Sequence, residues 1–177
     1  PAWDYLNWLY LCDAAGENCN TEVGRWITTY HREGRWVHDI SAMLPLFAEG
    51  GTFTFAYYTQ QPYEVWLDLR LSNAAKSARP EELTAMFGGG GATAAYNDRE
   101  PIVLSIPADA QKVELAIVFS GHGQVSDGGN CAEFCNFDHH FGVNGTDNEL
   151  EFPEAGTTYG CMEQAAIGTV PNQYGTW

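Results

Sequence analysis

Hydrophobic and polar residues alternate along much of this chain, and the alternation predicts β-strands separated by turns. Residues 1–11, PAWDYLNWLYL, alternate loosely and start at full hydrophobic strength with no capping or turn signal before them, so further residues are expected ahead of them. EVGRWITTY (22–30) is a second strand candidate. HREGRW then makes a turn, and WVHDI (36–40) resumes an extended pattern. SAMLPLF (41–47) reads as a short helical turn broken by Pro45, whose ring fixes φ and removes a donor. GTFTFAYYT (51–59) has period two with Phe53 and Phe55 on one face, the clearest half-buried strand, and VWLDLRL (65–71) follows in the same manner. IVLSI and KVELAIVF flank a Pro-Ala-Asp turn at 107–109, and HHFGVNG (139–145) predicts a strand further on. After residue 145 the periodicity fades.

Between these strand-rich parts, residues 72–100 are rich in Ala and Gly and poor in branched apolar residues. The segment reads as a linker or long surface connection, with a boundary near Asn73. The expected organisation is therefore a first β unit over 1–72, a connection over 73–100 and a second β unit over 101–177. The four-glycine run Gly88–Gly91 has no strand before it and no Gly-Lys-Ser/Thr after it, which excludes a phosphate loop. The fold class expected is all-β, built as two side-by-side antiparallel β-sandwich units, each lacking one end.

Composition narrows the function. Of 177 residues, 45% are hydrophobic and 14% aromatic, enough for packed cores without many helix formers. Asp and Glu outnumber Lys and Arg 23 to 8, for a formal charge of −15. A phosphate backbone would be repelled, so nucleic acid is excluded as a partner. No apolar run approaches the roughly 20 residues that span a bilayer as a helix.

The candidate chemistry gathers between Phe119 and Gly145, FSGHGQVSDGGNCAEFCNFDHHFGVNG. Cys131 and Cys135 are near enough in sequence for a small disulfide ring if the backbone turns tightly. Such a ring would hold Glu133 at the tip of a rigid loop, as a reacting carboxylate must be held. The plain alternative is a ring that only staples a surface loop. Cys12 and Cys19 flank the turn-like DAAGEN and could pair across a hairpin base. Cys161 is the odd one of five, either free or bonded outside this chain. Disulfides of this kind imply an oxidising compartment, hence a secreted, periplasmic or extracellular protein. Asn144-Gly145-Thr146 is a glycosylation sequon. Asp4, between Trp3 and Tyr5, is either a solvent-facing edge-strand aspartate or a carboxylate beside aromatics whose raised pKa suits acid–base work.

In order, these pieces resemble the peptide-N-glycosidase F family. The resemblance rests on WDYLNWLYL, VGRWITTYHREGRWVHDISAMLPLF and GTFTFAYYT in the first half. In the second half it rests on IPADAQKVELAIVFSGHG, NCAEFCNFDHHFGVNG and GCMEQAAIGTVPNQYGTW. GHG with CAEFC at this spacing is the specific part. The resemblance implies two jelly-roll domains, a fold shared with copper-dependent peptide-amidating monooxygenases. It implies hydrolysis of the amide joining an N-linked glycan to asparagine, without a cofactor. It implies that Asp4 and Glu133 are the working carboxylates, that Cys131–Cys135 is the family's tight ring, and that His122, Trp3 and Tyr58 line the glycan cleft. The expected disulfides are thus Cys12–Cys19 and Cys131–Cys135, with Cys161 bonded to a second polypeptide.

The chain departs from the family pattern in places. Where the family carries a third acid late in the strand matching TFTFAYYT, this chain has Tyr58, Thr59 or Gln60, and Tyr5 replaces an arginine. A non-catalytic extracellular module for glycan binding or assembly is the second reading. A copper-dependent monooxygenase-like protein is the third. It would draw on His139, His140 and Met162, but adjacent strand residues point to opposite faces and rarely share one ion. No metal site is therefore assigned.

Overall fold

The computed structural model describes residues 5–28, 33–73, 79–89, 96, 98–122, 132–164, 166, 169, 171 and 175–176. The fold is all-β and antiparallel. By internal packing the chain divides into one unit of 1–39, 52–73 and 118–177, and another of 40–51 and 74–117.

In the first unit, strand β1 (Leu6–Cys12) lies between β2 (Cys19–Ile27) and β3 (Phe55–Tyr58). Period two sorts β1 cleanly. Asn7, Leu9 and Leu11 are buried on one face, while Leu6, Trp8 and Tyr10 are only partly covered on the other. The register against β2 slips twice, so Val23 and Asn20 have no partner on β1. Each extra residue is a β-bulge, which strengthens the local twist of the strand pair. Cys12 and Cys19 face each other at the end of the ladder and form the expected disulfide. The turn between them is held from inside. Asp13 accepts hydrogen bonds from the Glu17 amide at 2.9 Å and from the Asn18 side chain. Those bonds, the Asn18 one foremost, hold the Asp13 carboxyl below the usual carboxylate range. Gly16 takes φ +76° there, a conformation that costs glycine little. At the other end, Tyr5 and Thr28 exchange backbone bonds through the Thr28 hydroxyl (2.8 Å) and amide (2.9 Å).

One face of this sheet carries an aromatic layer. Trp26 stacks on Tyr57 at 5.8 Å and contacts Trp36 and His38 from the 33–40 segment. The Tyr57 hydroxyl donates to the Oδ1 of fully buried Asn7 at 2.9 Å, giving that amide the partner a buried polar group requires.

Further along the first unit, β4 (Asp138–Val143) and β5 (Thr146–Glu151) form a hairpin. Its two-residue turn is Asn144-Gly145, with φ +50° and +80°, the left-handed pair that matches strand twist. The same triplet is a glycosylation sequon, and the fading periodicity after it predicts no further strand. β5, TDNELE, is missed because it is exposed almost throughout and so shows no alternation. His139 points inward and stacks on Phe119 at 3.9 Å, with Phe152 edge-on. His140 points outward beside Asp147 and Glu149. Behind Phe119 and Phe152 lie Ala155 and Cys161, both fully buried. The short helix α1 (Gly160–Glu163) begins there, after Tyr159 in a left-handed conformation.

The second unit holds the 3₁₀ helix Ser41–Phe47, with Pro45 inside it as the sequence predicts. Its other local anchor is Arg99, set over the rings of Phe87 and Tyr96 at 4.9 and 4.5 Å. The Pro-Ala-Asp turn closes by the Ala110 amide bonding Pro107 O. Among the described residues, the runs expected to be strands on either side of it, 102–106 and 112–119, pair with no strand, and neither does 65–71 in the first unit. Their branched residues stand exposed, Val65, Leu67, Leu69 and Leu71 among them. Alternation makes a segment fit to pair, but a ladder needs a second strand, and the described residues supply none at these places.

Burial pushes the His139 pKa down from its ordinary value, against a smaller upward pull from Asp138. The folded state therefore favours neutral His139. Its contribution is present above the unfolded value near 6.5 and is lost as pH falls from there towards the lower folded value. Chemical denaturation across that window should show stability dropping on acidification, and His139→Phe should flatten the drop. An unchanged slope in the variant would exclude His139 as its source.

Candidate active site

The site is built from two short segments that neither strand alternation nor helix periodicity describes. The first, Phe119-Ser120-Gly121-His122, is anchored by Phe119 on the His139 ring. The Ser120 hydroxyl accepts a hydrogen bond from the His122 amide at 3.1 Å, which ties the backbone at His122 to the preceding residues. The second is the 3₁₀ turn Ala132–Phe134, which carries Glu133. Glu133 is only 6% exposed, and its Oε2 lies 3.5 Å from His122 Nδ1. The imidazole is itself mostly covered.

That turn is locked from behind. Cys135 is disulfide-bonded. Asn136 Oδ1 accepts from the Gly156 amide at 3.0 Å, and Gly156 runs against the Cys135 main chain. A Cβ on Gly156 would stand 2.1 Å from the Cys135 carbonyl carbon, so only glycine fits. The Gly156 segment is in turn fastened by backbone bonds, Ala155 N to Phe152 O and Thr157 N to Glu154 O. Phe134 and Phe137, next to this turn in the sequence, are exposed.

A carboxylate and an imidazole held at 3.5 Å can share a charge and pass a proton, which is what amide hydrolysis asks of an acid–base pair. The arrangement keeps Glu133 out of bulk water, where its field on a bound substrate would be screened.

Of the site residues expected from sequence, the structure brings His122 and Glu133 together. Asp4, Trp3 and Cys131 lie outside the described residues, so the Asp4–Glu133 pairing and the partner of Cys135 do too. Tyr58 ends β3, opposite Trp8, with its ring edge-on to Tyr10 at 5.5 Å and 51% exposed. Cys161 is fully buried with a free thiol, and that burial raises its pKa. A bond from it to a second polypeptide would require this packing to open. His139 and His140 lie on opposite faces and do not converge on one ion, and Met162 is exposed. Carboxylate oxygens of Asp138, Glu149 and Glu151 come within 4.8 Å of one another on the outer face of the hairpin, all three residues exposed. Sequence reasoning missed Gly156 and Asn136. Their only trace was a glycine and an asparagine beside the motif, with nothing in the spacing to tie them together.

Residues 92–177 match the family model described as Peptide-N-glycosidase F, C terminal. The matched stretch holds His122, the CAEFC turn, the hairpin and Gly156. This part of the chain belongs to a peptide-N-glycosidase F-like family. No curated protein and no solved structure is significantly similar to the chain. Within the peptide-N-glycosidase F-like part, the described residues join the two motifs that carry the resemblance, GHG and CAEFC, through one contact, His122 to Glu133.

Gly156→Ala should destabilise the protein by about 1–3 kcal/mol, because the added methyl must displace main chain rather than a flexible side chain. Gly88→Ala, which meets nothing within 4 Å, should stay within about 0.5 kcal/mol of the parent. Thermal unfolding of both variants checks this, and equal midpoints would show that Gly156 has room after all.

Proposed function

We propose that the chain is a secreted amidohydrolase that cleaves the bond between an N-linked glycan and its asparagine. The observation that carries this reading is the buried Glu133 paired with His122 inside the segment matched to the peptide-N-glycosidase F C-terminal family. The reaction adds water across the side-chain amide. Water attacks the carbonyl carbon, the C–N bond breaks, the glycosylamine leaves with a proton, and aspartate remains on the peptide. Two carboxylates suit this chemistry. In this reading Asp4 takes the proton from the attacking water, and Glu133, steadied by His122, orients the glycan and returns a proton to the leaving nitrogen. Trp3 and Tyr58 line the cleft, on the jelly-roll framework expected of the family. No cofactor is required.

The Cys12–Cys19 disulfide supports an oxidising, extracytoplasmic setting. No helix among the described residues is long and apolar enough to cross a membrane. The formal charge of −15 disfavours strongly anionic substrates. The second reading, a glycan-binding module without catalysis, is favoured by one feature. Where the family pattern has a third acid this chain offers Tyr58, Thr59 or Gln60, none of which is a carboxylate.

Incubation with a denatured N-glycoprotein should release glycan and convert the glycosylated asparagine to aspartate, read by peptide mapping. Asp4→Asn should abolish release with folding intact, and Glu133→Gln should lower it by roughly 10²-fold or more. Full activity in Glu133→Gln would remove Glu133 from the mechanism. No release by the parent chain, with glycan still bound, would leave the binding module as the function.

A further inference from the structure

Residues 65–71, VWLDLRL, alternate strictly between apolar and other side chains, and among the described residues no backbone hydrogen bond joins them to a strand or loop. Arg70 reaches back to Asp68, with a terminal nitrogen 3.8 Å from Oδ2, as neighbours two apart on one face of an extended chain do. Trp66, Asp68 and Arg70 are largely exposed on that side. Val65, Leu67 and Leu69, of the opposite parity, are about half covered. Such a segment presents a row of N–H and C=O groups that can template another strand.

Run antiparallel to a second copy of itself, the segment has one register that satisfies both faces. With Leu69 on a two-fold axis, Asp68 falls opposite the second copy's Arg70, and symmetry repeats that pair on the other side of the axis. Leu67 then meets the second copy's Leu71, and Leu69 meets itself. Moving the axis to Asp68 sets that carboxylate against its own copy, and moving it to Arg70 does the same to the guanidinium. A slip of one residue sets leucines against charges. The order of the charges, acid and then base two positions on, is therefore self-complementary.

We infer that 65–71 is a dimerisation edge, through which two copies of this chain pair antiparallel about Leu69. The contact uses the same patch on both copies, so it closes at two chains and does not propagate. Pairing over 67–71 buries much less than the roughly 1,200–2,000 Å² of a stable complex, so the dimer is weak and depends on concentration.

Sedimentation velocity on the intact chain over a concentration series tests it. The parent should move from the mass of one chain towards that of two. Arg70→Asp sets acid against acid in both pairs, and Asp68→Arg sets base against base. Each should weaken self-association by about tenfold or more. An equimolar mixture of the two variants should associate again, since the acids of one chain then meet the bases of the other. Both side chains are largely exposed, so the variants should fold, and circular dichroism checks that. Leu69→Cys should cross-link to its own copy on oxidation, whereas Leu67→Cys, set opposite Leu71, should not. A parent that stays monomeric at its highest soluble concentration overturns the dimer and leaves Asp68 and Arg70 as charges that only guard an edge. Association untouched by Arg70→Asp, or not restored in the mixture, rejects the register and the inference with it.

Discussion

A carboxylate withdrawn from water is the constraint round which the second half of this chain is arranged. Burying an ionised group loses several kcal/mol of hydration unless neighbours restore it. Glu133 is buried, and the imidazole of His122 faces it. Keeping that geometry requires each side to be rigid. On one side, Phe119 stacks on His139 and Ser120 pins the His122 amide. On the other, the turn is bonded at Cys135 and backed by Gly156 with no space between. A structural staple would need none of the burial. The enclosed carboxylate is what the proposed acid–base role of the loop rests on.

The elements that alternation made legible are those with one covered face. β1 shows it in Asn7, Leu9 and Leu11, and the 3₁₀ helix shows a different legible signal in Pro45. β5 was invisible because both its faces meet solvent. Conversely, Val65 to Leu71 carry a two-residue period and yet pair with no strand among the described residues. A strand is a property of two segments, while periodicity describes one. The Asn144-Gly145 pair shows how a local signal can be assigned to the wrong cause. As a sequon it says nothing about conformation, but as two left-handed residues it dictates a hairpin.

The candidate site was legible in a similarly uneven way. Glu133 and His122 were found because GHG and CAEFC are compact motifs, and the contact between them is what the structure adds. Gly156 and Asn136 were not, since a close approach of two backbones leaves no mark on residue type beyond a glycine. The same holds for the outer face of the three-stranded sheet. Trp8, Tyr10, Arg25 and Glu22 each read as ordinary strand residues until the register sets them in adjacent rows.

For Glu22 and Arg25 that register depends on the bulge at Val23 in β2. Without Val23 out of step, Glu22 would fall opposite Leu11 and Arg25 would remain opposite Trp8, so the acid and the base would lie in rows further apart. With Val23 out of step, Glu22 comes up beside Tyr10, three residues from Arg25 instead of an even number, and still on its face. An i, i+3 pair cannot share a face of a regular strand, because period two puts odd spacings on opposite sides. The bidentate bonds of Arg25 to Glu22 are therefore possible only through the bulge. Bulges are used elsewhere to re-aim a side chain next to a working surface. Here the one at Val23 converts a plain antiparallel ladder into a face where a fixed ion pair stands beside open aromatic rings.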